Sequence, residues 1–278
     1  MITVKGAEAQ GELRPAAGVS VESLRLAAAR TSSETSGGFE MVMSVGGSSE
    51  VLAGSMTMTM SGVYSGTQSQ MSMRTDMAGL EELPEGLGEM ASMLDMEMIT
   101  DGDVGYVRGG MFSMFGGQDP EVWVRMPVEE VAAQSMASPL GDDGVADLLS
   151  GAYGEVAEVG AEDVRGVGTT RYRVLLDPDQ VMSNPLMSDA GADLRVLDEV
   201  PMDVWVDGDG FVRRMAVELA GSDAPSMKLR MEFFDLGDPV TIEVPTDAVD
   251  FDESAFADSM FEQMEGILGG EAPLNGGD

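Results

Sequence analysis

The chain has no cysteine and no histidine. Without cysteine there are no disulfides and no thiolate nucleophile. Without histidine there is no Ser-His-Asp triad and no imidazole base, and the two absences together remove Cys/His zinc sites. Lysine is nearly absent too, occurring only at Lys5 and Lys228. Fifteen basic residues face 50 acidic ones, for a net charge of −35. Such a surface repels phosphate backbones, which excludes nucleic acid as a partner, and it favours a soluble monomer. Salt screens the self-repulsion of these charges, which points to a salty medium. No hydrophobic run approaches the roughly 18–20 residues of a membrane-spanning helix. No GxSxG, P-loop or dinucleotide fingerprint occurs. The opening stretch, "MITVKGAEAQGELRPAAG", lacks the apolar segment of roughly 7–15 residues that marks a signal peptide.

What remains is 278 residues, 43% apolar, enough for a sizeable core. Twenty-five residues are methionine, and many recur at every second position: "MVM" at 41–43, "GSMTMTMSG" at 54–62, "MSM" at 71–73 and "MEM" at 96–98. A period of two places Phe39, Met41, Met43 and Val45 on one face of a strand, then Met56, Met58 and Met60, then Met71 and Met73. Strands are also predicted near 95–100, 103–109 and 121–127. A second run starts near Glu155. In it "GTTRYRVLLD" puts Tyr172, Val174 and Leu176 opposite Arg171 and Arg173. "VPMDVWVDGDGFVRRMAVELAG" is the clearest hairpin, with Met202, Val204 and Val206 alternating before the DGDG turn and Phe211, Arg213, Met215, Val217 and Leu219 after it. "SMKLRMEFFDLG" aligns Met227, Leu229, Met231 and Phe233. One helix is predicted from a Ser20 cap to about Arg30, with Val21, Leu24, Ala28 and Leu26 on its apolar side. Short helices are predicted near 86–94, from Pro127 through "PVEEVAAQSMA", over 142–152, within 178–197 and over 253–268. Ten or eleven strands with no βαβ rhythm make the fold mainly antiparallel β with short helices, an α+β class whose long sheet curls. The helices are the only candidates to cover its apolar face. The domain limits are a flexible lead-in over 1–18, one domain over 19–252, and a C-terminal helix and disordered tail over 253–278.

Four features compete as sites. Thioethers at M-x-M spacing suit Cu(I), but strand alternation puts these side chains on one face with or without a metal. Methionine is also pliable and suits an adaptable apolar pocket. Asp207 and Asp209 of DGDG lack the further oxygen ligands of a calcium loop and fit a plain turn. Carboxylate pairs for acid–base hydrolysis carry no specificity among 50 acidic residues, and the acids of "EVAEVGAEDV" fit a solvated surface. Trp205 alternates away from Met202, Val204 and Val206 and is expected to pack under a neighbouring loop, with Trp123 as a second large aromatic.

The stretches "GVGTTRYRVLLD", "VPMDVWVDGDGFVRRMAVEL" and "FFDLGDPVTIEVP" resemble the LppX/LprG-type lipoproteins of actinobacteria, and "FEMVMSV…GSMTMTMSGVYS" fits the opening strands of that family. The resemblance covers roughly residues 20–252. It implies a LolA/LolB-like fold, a curved antiparallel half-barrel sheet wrapped around short helices, with an apolar cavity for acyl chains of envelope lipids. It implies no catalytic residue and no cofactor. The chain departs from the family in lacking a signal peptide and an acylated cysteine. The expected location is therefore the cell envelope if an export segment is missing from this chain, and the cytoplasm otherwise.

The resulting expectation is a non-catalytic carrier or chaperone of a lipid or glycolipid, with an envelope transporter as a second partner. The alternatives are a Met-rich soluble copper protein and an accessory scaffold without ligand. Alternation, not matched family positions, supplies the candidate cavity residues: Met41, Met43, Met56, Met58, Met60, Met71, Met73, Tyr172, Val174, Met202, Val204, Met215, Val217, Met227, Leu229 and Met231.

Overall fold

The computed structural model describes residues 14–46, 55–78, 95–109, 119–128, 146, 149–183, 200–219 and 226–251. The helices expected near 86–94 and 253–268, the terminal tail, and most of those expected after Pro127, over 142–152 and within 178–197 lie outside the described residues.

Two meanders make one open, curved sheet. The first comprises β2 (Ser36–Gly46), β3 (Ser55–Ser65), β4 (Gln68–Ala78), β5 (Met96–Asp101), β6 (Val104–Gly109) and β7 (Val124–Pro127). The second comprises β8 (Ala152–Val164), β9 (Val167–Leu176), β10 (Val200–Asp207), β11 (Val212–Leu219) and β12 (Ser226–Phe234). The meanders join where β12 pairs with β2, the first strand of the other meander. Two-residue strands close the edges: β1 (Arg14–Pro15) beside β8, and β13 (Val249–Asp250) beside β7. The β13–β7 pair is parallel and the other pairs are antiparallel. Arg14–Pro15 thus places the end of the expected lead-in against Glu158 and Ala157, and Ala16 is buried.

Helix α1 (Val21–Ser32) starts where expected, through a capping box between Ser20 and Ser23. Its buried side is Leu24, Ala27, Ala28 and Thr31. Leu26, expected on that side, is exposed, because two residues beyond Leu24 is nearly the opposite side of a helix. Thr31 fixes the helix to the sheet: its hydroxyl accepts from the Val212 amide at 2.8 Å and donates to the Ala27 carbonyl at 3.1 Å. Arg25 donates to the carbonyls of Leu149, Ser150 and Ala152, tying the helix to the start of β8.

Two local expectations change, and a third shifts by one residue: Pro127 ends β7, opposite Val104, and the helix expected from it begins at Val128; β13 reaches only Arg125, so no ladder bond is missed on that side. Leu149–Gly151 form a turn and Ala152 begins β8, so the helix expected over 142–152 does not reach that far. The alternation after DGDG breaks at a bulge: Trp205 pairs with Arg214 and Val206 with Val212, leaving Arg213 as the extra residue. Val212 consequently turns into the core, while Phe211 and Arg213 do not share the face of Met215, Val217 and Leu219. A second helix, α2 (Pro178–Ser183), follows β9.

Candidate functional site: a methionine-lined sheet face

Register converts the sequence alternation into continuous rows across both meanders. One row runs Tyr172, Val204, Met215, Met231, Met41, Met60, Met73 and Met96 over β9, β10, β11, β12, β2, β3, β4 and β5. The next runs Val174, Met202, Val217, Leu229, Met43, Met58 and Thr75. A third runs Leu219, Met227, Val45, Met56 and Met77. Met71 lies in a neighbouring row, between Gly62 and Met98. Gly62 has the Phe39 ring over it, and a Cβ there would meet that ring at 2.8 Å. All sixteen candidate residues therefore stand on one sheet face.

Burial along these rows is uneven. Val174, Met202, Val204, Met215, Val217, Met227, Leu229 and Met231 in the second meander are buried, as are Met41, Met60 and Met71 in the first. Tyr172 and Met73 are half-buried and pack against the same cluster. Exposure rises toward one corner of the first meander, where Met43, Val45, Met56, Met58 and Met77 are all half-buried. Val45, Met77, Met96 and Met98 were missing from the candidates although the same alternation, carried on from each strand, reaches them. Thr75 was missed because a threonine at an inward position looks like a lapse in the pattern.

The opposite face of the second meander is polar and closely paired. Asp203 bridges Arg171 and Arg173, accepting from Arg173 Nε at 2.7 Å. Glu232 accepts from Arg165 at 2.6 Å and Arg214 at 2.8 Å. Glu40 of β2 lies directly opposite Glu232, and Arg165 joins the two across the meander junction, with Glu40 at 3.1 Å. Burial alone would raise the Glu232 pKa; Arg165, Arg214 and Arg230 outweigh it and hold the carboxyl below its ordinary value. Trp205 is buried here, and among the described residues it lies between the guanidinium groups of Arg171 and Arg214, with its indole N–H donating to Glu162 at 2.9 Å. Glu162 is thereby a structural acceptor and not merely solvated surface. Trp123 lies under Arg108, 4.6 Å from its ring centre.

Asp207 behaves as the turn reading expects. Its carboxylate accepts from the Asp209 and Phe211 amides, each at 2.9 Å, and pairs with Arg213 at 2.6 Å. Burial pushes its pKa up, and the Phe211 amide, Arg213 and the Asp209 amide together bring it below the ordinary value. No cluster of three metal-ligating carboxylates exists among the described residues. Among them, too, no helix is long and apolar enough to cross a membrane.

No family model matches the chain, and no curated protein matches it. Solved structures do resemble it. LprF from Mycobacterium bovis is 14% identical, with 83% of this chain and 98% of that one covered, at a TM-score of 0.49. The lipoprotein LppX from Mycobacterium tuberculosis is 16% identical over 80% of this chain and 97% of its own, at 0.44. A LolA superfamily protein from Nitrosomonas europaea is 8% identical over 82% and 96%, at 0.27. The structures that resemble the chain thus include LprF and LppX, lipoproteins of the type that its sequence resembles.

Proposed function

We propose that the protein is a non-catalytic carrier of acyl lipids, holding their chains against the methionine rows of the sheet, between it and the short helices. The observation that carries this reading is the graded burial of those rows. A core sealed for stability alone has no need of a corner where five adjoining apolar side chains, Met43, Val45, Met56, Met58 and Met77, remain half-buried. Methionine is unbranched and polarizable, so such a corner can conform to chains of different length and shape. Each CH₂ buried there contributes about 0.8 kcal/mol. Two long chains then bind well after the ordering costs of association. The proposal takes the domain as 19–252, the working state as a monomer, the place of action as the cell envelope and the receiving partner as an envelope transporter.

Native mass spectrometry of the protein as purified, before and after organic extraction, tests the reading. The expected result is a bound mass that leaves on extraction and corresponds to a di- or triacylated lipid. A clean protein mass that also takes up no added diacyl lipid would overturn it.

A further inference from the structure

Among the described residues, a threonine interrupts the methionine rows at Thr75; Ser69 and Thr100, further along the same face, bond to each other at 2.7 Å. Inward positions along β4 run Met71, Met73, Thr75 and Met77, and Thr75 ends the row that begins at Val174. Thr75 is 9% exposed, yet its Oγ1 is out of reach of solvent and has no hydrogen-bond partner. Its amide is satisfied, by Asp95 Oδ1 at 2.9 Å, so the unmatched group is the hydroxyl alone. β5 pairs with β4 only as far as Met73, so Thr75 lies just past the end of that ladder, beside the half-buried corner. A buried hydroxyl without a partner destabilises a fold, and a valine would continue the row without that cost. The other unmatched buried atom among the described residues, Arg171 Nε, belongs to a guanidinium already paired with Asp203 on the opposite face.

We propose that the Thr75 hydroxyl is the polar contact for the cargo, donating a hydrogen bond to the ester carbonyl of an acyl lipid whose chains lie on the methionine rows. The inference rests on the carrier reading and adds the class of cargo to it: an acyl ester, not an ether lipid or a plain hydrocarbon. Met58 lies opposite Thr75, with Met73 and Met77 on either side along the strand. In these apolar surroundings one hydrogen bond discriminates well, because a ligand lacking the acceptor leaves the hydroxyl unmatched.

The test compares dioleoylglycerol with the dialkyl ether of the same chain length, binding to the wild type, Thr75→Val and Thr75→Ser. The wild type should bind the ester about 5–10-fold more tightly. Thr75→Ser should keep that preference. Thr75→Val should lose it, bind the ether as the wild type does, and melt at a higher temperature without ligand because the unmatched hydroxyl is gone. Equal binding of both probes by the wild type, a preference that survives in Thr75→Val, or a lower melting temperature for ligand-free Thr75→Val would each overturn the inference while leaving the carrier reading standing. Binding of neither probe by the wild type would instead fail the carrier reading and this inference with it.

Discussion

Met231 and Met58 both point inward, Met231 in the second meander and Met58 one row over in the first, yet Met231 is 1% exposed and Met58 is half-buried. What differs is the setting of each strand. The second meander has α1 packed on it, locked through Thr31 to the β11 bulge, and its outward face is tied by the Arg165, Arg171, Arg173 and Arg214 pairs. Outside, the first meander carries hydroxyl pairs, Ser44 with Thr57 and Ser61 with Ser72, each at 3.1 Å, beside the Arg108–Glu97 ion pair at 2.7 Å. Alternation assigns a side chain to a face, and cover decides whether that face is core or surface for a ligand.

The sharpest way to break this comparison is to truncate one methionine on each side. Met231→Ala should cost about 2–5 kcal/mol, the loss for a closely packed core methionine. Met58→Ala should cost about 1 kcal/mol or less while weakening lipid binding. Denaturant melts of both variants check this. Equal losses would mean that the first meander is as closely packed as the second, and the ligand face would lose its distinction.

The outward face of the second meander should be nearly as sensitive. Glu232 is 5% exposed and sits among three arginines, so Glu232→Gln leaves Arg165 and Arg230 with Glu40 and Arg214 with Glu162 as their remaining partners, and should cost about 1–3 kcal/mol. The same group and Asp207 set the response to acid. Both carboxyls have folded pKa values below their ordinary ones. The unfolded chain therefore takes up their protons first as pH falls, and the fold loses the stability these groups contribute below about pH 4. Thermal melts from pH 7 downward should fall steeply there. Glu232→Gln should flatten that fall, and a wild-type profile flat to pH 3 would contradict the assignment.

Salt separates the two kinds of charge in the molecule. The paired charges around Glu232 and Asp203 are largely shielded from solvent and weakly screened, whereas exposed carboxylates repel one another through water. At a net charge of −35 the repulsion dominates, so the melting temperature should rise with NaCl up to about 1 M, where the screening length is about 3 Å. Each kcal/mol gained corresponds to about 2–4 °C. A melting temperature that falls with salt would mean that the arginine network outweighs the surface.

Much of this architecture was legible because strand alternation is a local property. The rows through Met41, Met43, Met56, Met58 and Met60, the DGDG hairpin and the Ser20 cap all follow from neighbours in sequence. The bulge at Arg213 was not legible, since it depends on Thr31 of a helix 181 residues away holding the Val212 amide. Nor was the place of Trp205: alternation put it on the outward face, but the arginines that enclose it come from β9 and β11. Thr75 shows the same limit in the site itself. Its inward position could be counted from Met71, but the want of a partner for its hydroxyl is a fact of three dimensions.

The smallest expected effect bears on why methionine is used at all. Met58→Leu keeps volume and apolarity, so stability should shift by less than about 1.5 kcal/mol. Leucine is branched and adapts its shape less readily than methionine does. If the open corner of the first meander works by conforming to its ligand, the leucine variant should bind its best-fitting diacyl lipid as the wild type does and lose affinity for longer and shorter chains. The check is a set of dissociation constants over a chain-length series. The same substitution at Met231, inside the sealed half, should leave the selectivity of that series unchanged, because Met231 makes its contacts with the fold and not with the ligand. A parallel change in selectivity at both positions would place the ligand surface across the whole face and dissolve the division between the two meanders.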